Sequence, residues 1–93
     1  HLPPEHPYYA WYAEFKAGAY PRMSVESLLM AGDRYRLHHN HASPHMALKV
    51  YTKALARARH YALPEFEGTA LERIAIAERE IAEFAAQRQA AGR

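Results

Sequence analysis

Apolar residues recur along most of this chain at intervals of three and four, the spacing of a helix face. Val25, Leu28, Leu29, Gly32 and Tyr35 make one such stripe. Ala47, Val50, Tyr51, Ala54, Leu55, Ala58, Tyr61 and Ala62 make a second. Leu71, Ile74, Ala75, Ala77, Ile81, Ala82, Phe84 and Ala85 make a third. Ala is abundant and strand formers are sparse. The pattern predicts an all-α fold: an antiparallel helical hairpin, with helices over about 25–40 and 44–62, and a long packing helix over about 70–89.

Start and stop signals set those bounds. Ser24 is a good N-cap with Glu26 in the first turn, and Met23 and Leu28 fit a hydrophobic staple around it. Asn40 is a plausible terminator. Ser43-Pro44 is a cap followed by Pro at the first helical position, and Pro64 closes off the segment that it opens. Thr69 and Glu72 read as a capping box, with Gly68 loosening the chain before it. Asp33, Arg34 and Arg36 are expected to flank the first stripe or face water. Glu78 falls within the third stripe, so it is expected to pair with an Arg or Lys of the hairpin, because an unpaired buried carboxylate is costly.

Residues 1–23 differ in character. Three prolines in the first seven residues predict an extended start. Pro7 then opens a short helix, TyrTyrAlaTrpTyrAlaGluPheLysAla, for which Gly18 is the expected stop. Tyr8, Trp11, Tyr12 and Phe15 share one side of it. These aromatics, with Tyr9, either cap the hairpin or form a docking segment, since Tyr and Trp bury large area at low entropic cost. Ile76 lies on the otherwise polar side of the last helix and hints at a second contact surface.

Positions 32–54 carry a resemblance. Gly32 and Tyr35, followed by Ala47, Tyr51 and Ala54 in the run AlaLeuLysValTyrThrLysAlaLeu, resemble one tetratricopeptide repeat over residues 24–62. The turn is about three residues longer than the repeat's, and the Pro expected after the second helix comes late, at Pro64. The resemblance implies a helical hairpin that mediates protein contacts, in which small Gly32, Ala47 and Ala54 let two backbones approach while Tyr35 and Tyr51 fill the space around them. ValTyrThrLysAlaLeuAlaArgAlaArg, positions 50–59, faintly resembles the Leu-Tyr-Arg family of small mitochondrial accessory proteins, whose members bind acyl carrier protein through a basic surface. Neither the Leu nor the Arg of that tripeptide is present.

Composition narrows the chemistry. Ninety-three residues make one small domain with a marginal core of its own. The absence of Cys removes disulfides, thiolate nucleophiles and Cys-ligated zinc. No apolar run is long enough to span a bilayer. No signal-peptide pattern opens the chain, and its start at His1 fits a processed form or an excised piece alike. A cytoplasmic or organellar-matrix setting is expected over secretion.

Two clusters invite chemistry. His38, His39, His41 and His45 fall within eight residues of the turn. Imidazole ligates zinc, copper and nickel, so His38, His41 and His45 are an alternative metal site, although no acid lies nearby and the spacing matches no standard zinc motif. Between Arg34 and Leu63 stand six Lys or Arg and no acid. Lys49 and Lys53, with Arg57 at the edge, form a basic face suited to phosphates or to plain solvation. The aromatics of that helix point away from it. No catalytic motif appears. The expected function is a non-catalytic interaction module or accessory subunit, with other protein subunits as partners, no cofactor and no small-molecule substrate. A metal-binding protein and an RNA-binding one are the alternatives.

Overall fold

The computed structural model describes residues 3–38 and 42–92. The chain is all-α: α1 (Pro7–Glu14), one wider π-turn (Phe15–Ala19), α2 (Tyr20–Leu37), α3 (Pro44–His60) and α4 (Pro64–Ala91). Among the described residues there is no strand.

The first three of these form one unbroken helical rod, where the sequence suggested a stop at Gly18 and a fresh start at Ser24. Pro21 explains both the continuity and the π-turn. It has no N–H to give the carbonyl of Ala17, and its ring crowds that carbonyl in a regular helix. The wider turn, closed by the Tyr20 N–H donating to the Phe15 carbonyl, takes up the misfit. Pro21 itself is buried in the first turn of α2. Gly18 costs about 1 kcal/mol in a helix, too little on its own to break it. Ser24 lies inside α2, and its hydroxyl accepts a 2.6 Å hydrogen bond from Nη1 of Arg57. The terminator expected at Asn40 lies outside the described residues.

α3 begins as expected, with Oγ of Ser43 accepting from the Met46 N–H at 3.3 Å. It ends in a Schellman motif. The Leu63 N–H reaches the Ala58 carbonyl at 2.8 Å and the Ala62 N–H reaches that of Arg59 at 3.2 Å. Ala62 occupies the left-handed position of this motif, at φ 55°. It is therefore exposed at the turn rather than on the buried face where its spacing had put it. α4 starts at Pro64, five residues before the expected capping box. Pro at the first position, with Glu65 and Glu67 in the first turn, supplies the start. Gly68 and Thr69 are inside the helix, and the Thr69 hydroxyl donates to the Glu65 carbonyl at 3.0 Å.

α3 is the middle of a three-helix layer, with α2 packed on one side and α4 on the other. Ion pairs join Arg22 to Glu65, Asp33 to Arg73 and Arg36 to Glu80, so α2 and α4 run parallel and α3 runs against both. The core is Val25, Leu29, Ala47, Tyr51, Ala54, Leu55, Ala58, Ala70 and Ala77. Small residues dominate it and let the helix axes approach closely. At Gly32 the approach is closest. A Cβ there would sit 2.5 Å from Cδ1 of Tyr51 and 2.9 Å from its Cζ.

Three expectations about the faces fail in whole or in part. Tyr35 is 41% exposed, and it is the Tyr51 ring that lies directly over Gly32. The face of α4 agrees with the expected stripe only in part: Ile74, Ala77 and Ile81 are covered or half covered, joined by Phe66 and Ala70, whereas Leu71, Ala75, Ala82, Phe84 and Ala85 are exposed. Ala70 and Ala77 allow the close packing on α3 that bulkier Leu71 and Phe84 would prevent. Glu78 turns outward with the exposed part of that stripe, and Glu80 pairs with the hairpin in its place.

Candidate interaction surface

α1 is built to be a helix without a core. The His6 side chain caps it, with Nδ1 accepting from the Tyr8 N–H at 3.0 Å, and Pro7 takes the first position. None of its residues is buried. Its only neighbour is the π-turn, and it touches neither α3 nor α4. The rod therefore carries α1 off the end of the bundle. The molecule measures 70 × 26 × 15 Å, with a radius of gyration of 18.4 Å, where a compact chain of this length has about 12 Å.

The aromatic side predicted from spacing is present and exposed. Tyr8 and Tyr12 stack at 5.8 Å and 12°, and Trp11 and Phe15 stack at 5.4 Å and 14°. Tyr8 also meets Trp11 at 5.8 Å and Tyr9 edge-on at 5.6 Å. Trp11 is 56% exposed and Tyr8 44%, with Tyr9 and Tyr12 close behind, while Phe15 is half-buried. Nζ of Lys16 lies 5.5 Å from the Tyr12 ring centre. Of the two roles open to these rings, capping the hairpin is the one that this geometry does not use. Phe15 continues the stripe to Tyr20, whose ring centre is 5.8 Å away. From there it enters a groove of about 430 Å³ lined by Phe15, Tyr20, Met23, Ser24, Ser27, Leu28 and Arg57.

The remaining candidates lie elsewhere. Ile76 is half-buried on α4, apart from the arm and outside the core cluster. Lys49, Lys53 and Arg57 are exposed on α3, and Arg57 is engaged by Ser24. His38 and His45 are both exposed, one at each end of the turn, and His41 lies outside the described residues. Among the described residues no three metal-ligating side chains converge. No described helix is long and apolar enough to cross a membrane.

One polar cluster escaped the sequence reading. The Tyr51 hydroxyl donates to Oδ1 of Asp33 and accepts from Nε of Arg36 at 3.3 Å. Nη1 of Arg36 reaches Oε1 of Glu80 at 3.0 Å, and Nη1 of Arg73 reaches Oδ2 of Asp33 at 3.1 Å. Five side chains thus link α2, α3 and α4 with two positive and two negative charges around one buried phenol. Burial, and then the bond to Asp33, push the Tyr51 phenol above its ordinary 10.0. The bond to Tyr51 is the main reason that Arg36 is held charged more firmly than usual. These bonds make a clamp that ties the three helices together. Asp33 and Arg36, expected to flank the first stripe or face water, are half-buried at its flank. Their spacing of three, with the Arg73 and Glu80 spacing of seven, puts each pair on one helix face, the one signal that the sequence offers.

No protein-family model matches the chain, and no curated protein and no solved structure is significantly similar to it.

Proposed function

We propose that this domain is a non-catalytic protein-interaction module, an accessory subunit that holds a partner protein through its aromatic arm. The observation that carries the reading is the position of Tyr8, Tyr9, Trp11 and Tyr12: exposed rings on a helix that no bundle helix covers. Tyr and Trp are the residues that most often anchor protein contacts. The accessible surface points the same way. At 6900 Å² it exceeds the roughly 5500 Å² expected of a compact 10.6 kDa monomer. Large exposed apolar surface on a small protein marks a place where something binds.

The tetratricopeptide resemblance supports the reading through its packing rather than its period. Gly32 against Tyr51, with Ala47 and Ala54 buried, is the small-aromatic-small hairpin that the resemblance implies. The ion pairs between the parallel helices span 40 to 44 residues, longer than the 34-residue period of that repeat.

The test is purification of the native protein beside a Trp11→Ala, Tyr12→Ala variant. The native protein is expected to retain a partner protein through gel filtration, and the variant to lose it while melting at the same temperature. A native protein that retains no other protein, and that stays a 10.6 kDa monomer even at 500 µM, overturns the proposal.

A further inference from the structure

The stacked face of α1 and the groove at its root are two unfilled surfaces joined through Phe15. They lie on one continuous strip about 20 Å long, from Tyr8 to Tyr20. We propose that they fill each other between two copies of this chain. The arms lie antiparallel, and the tip of each arm, at Tyr8, rests on the Phe15 end and root groove of the other. This names one occupant for the arm and so rests on the interaction reading above.

Three observations favour a second copy. The strip is self-complementary in an antiparallel pair. Tyr8, Trp11, Tyr12 and Phe15 are evenly placed, so Tyr8 falls opposite Phe15 and Trp11 opposite Tyr12, rings on rings throughout. The charges run the matching way. Glu5 stands at the tip, whereas Lys16 and Arg57 stand at the root with Glu14 on the opposite flank from Lys16, so reversing one arm brings Glu5 to the Lys16 and Arg57 side at both ends. The geometry also leaves room. The arm projects beyond the bundle, and an antiparallel partner carries its own bundle away from this one.

Area sets the strength. An aromatic side chain covers about 150–250 Å² when buried. Tyr8, Trp11, Tyr12 and Tyr20, each about half exposed, offer about 300–500 Å² per arm, and two arms about 600–1000 Å² together. That is below the standard size of a stable interface and suits a weak, reversible dimer. The rings already stack within each arm, so ordering them costs little on association. An isologous contact of this kind closes at two copies.

The chain has no cysteine, which makes a register test direct. Tyr8→Cys and Phe15→Cys variants are purified separately, then oxidised alone and as a mixture at about 100 µM. The mixture is expected to form a disulfide-linked dimer at least tenfold faster than either variant alone. Sedimentation of the native chain is expected to show monomer passing to dimer as concentration rises, and Trp11→Ala, Tyr12→Ala is expected to stay monomeric with its helix content kept. A native chain that remains monomeric at 500 µM overturns the pairing. So does Tyr8→Cys linking fastest to itself, assembly beyond a dimer, or a Trp11 emission shift with anionic vesicles in the absence of dimer. Retention of a different protein by the arm in the native preparation, with no self-association, refutes the pairing and leaves the interaction module standing.

Discussion

Replacing Gly32 with Ala tests the close approach at the centre of the hairpin. A bare Cβ placed there lies 2.5 Å from Cδ1 and 2.9 Å from Cζ of Tyr51, and that ring is 0% exposed. It cannot swing aside freely, because its hydroxyl is held by Asp33 and Arg36. Two responses are open. If the helices part, overpacking costs about 1–3 kcal/mol. If the ring moves, two hydrogen bonds of about 0.5–1.5 kcal/mol each are weakened. Ala gains about 1 kcal/mol over Gly in helix propensity. The net expectation is a loss of up to about 2 kcal/mol, or a melting temperature lower by up to about 15 °C in a domain of this size. Gly68→Ala is the internal control. It lies within α4, and nothing stands within 4 Å of its Cβ position. There the propensity gain acts alone, and stability should rise by about 0.5–1 kcal/mol. Urea and thermal melts followed by circular dichroism read both. In a Tyr51→Leu background the cost of Gly32→Ala should shrink, giving a coupling energy of at least about 1 kcal/mol in the cycle. If Gly32→Ala stabilises as much as Gly68→Ala does, the Gly32–Tyr51 contact is not what sets the helix spacing.

Other consequences follow from the polar clamp and the turn. Tyr51→Phe removes the clamp's centre and should cost about 1–2 kcal/mol in a urea melt at neutral pH. The same phenol predicts a pH effect. The unfolded chain releases this proton near pH 10.0 and the folded chain only above it, so in that window the native state holds more protons. The stabilisation is full below pH 10.0 and is lost as pH rises through the folded value, and the alkaline loss should be smaller in Tyr51→Phe. Arg36→Ala should cost about 1–3 kcal/mol, since it strands Glu80 in a pair only 17% and 26% exposed. Arg22→Ala breaks a pair 57% and 51% exposed and should change the melt by less than about 0.5 kcal/mol. Ala62→Gly should stabilise by about 0.5–1 kcal/mol, because Gly occupies the left-handed position of the Schellman motif without the Cβ strain. An unchanged melt would remove strain from the account of that turn.

How much of this was legible depended on which signals compete. α3 was readable almost residue by residue. Its cap, its proline and five buried positions (Ala47, Tyr51, Ala54, Leu55 and Ala58) all agree, because it is the middle helix and packing on both sides reinforces its pattern. The rod from Pro7 to Leu37 was not readable. Gly18 and Pro21 are local breakers, and the sequence does not show that one π-turn can absorb them both. α4 misled for a different reason. Large Leu71 and Phe84 draw the expected stripe too far round, while small Ala70, outside that stripe, joins Ala77 within it to make the contact. Its start at Pro64 used the same proline rule that located α3, and the capping box at Thr69 obscured it. The aromatic rings of the arm were identified from spacing alone. Their exposure could not be, since it depends on the rod carrying them past the bundle. The clamp around Tyr51 joins residues up to 44 apart, a pairing that helix periodicity does not reveal.

Trp11 is the chain's only tryptophan, so its fluorescence at submicromolar concentration reports on the arm alone. If the arm stands clear of the bundle and is open to a partner, the emission is that of a hydrated indole. Acrylamide quenches it freely, and it stays unchanged through the urea range in which circular dichroism shows the bundle unfolding. A blue-shifted, protected emission that turns red in step with that unfolding would put the indole inside the core and contradict the account.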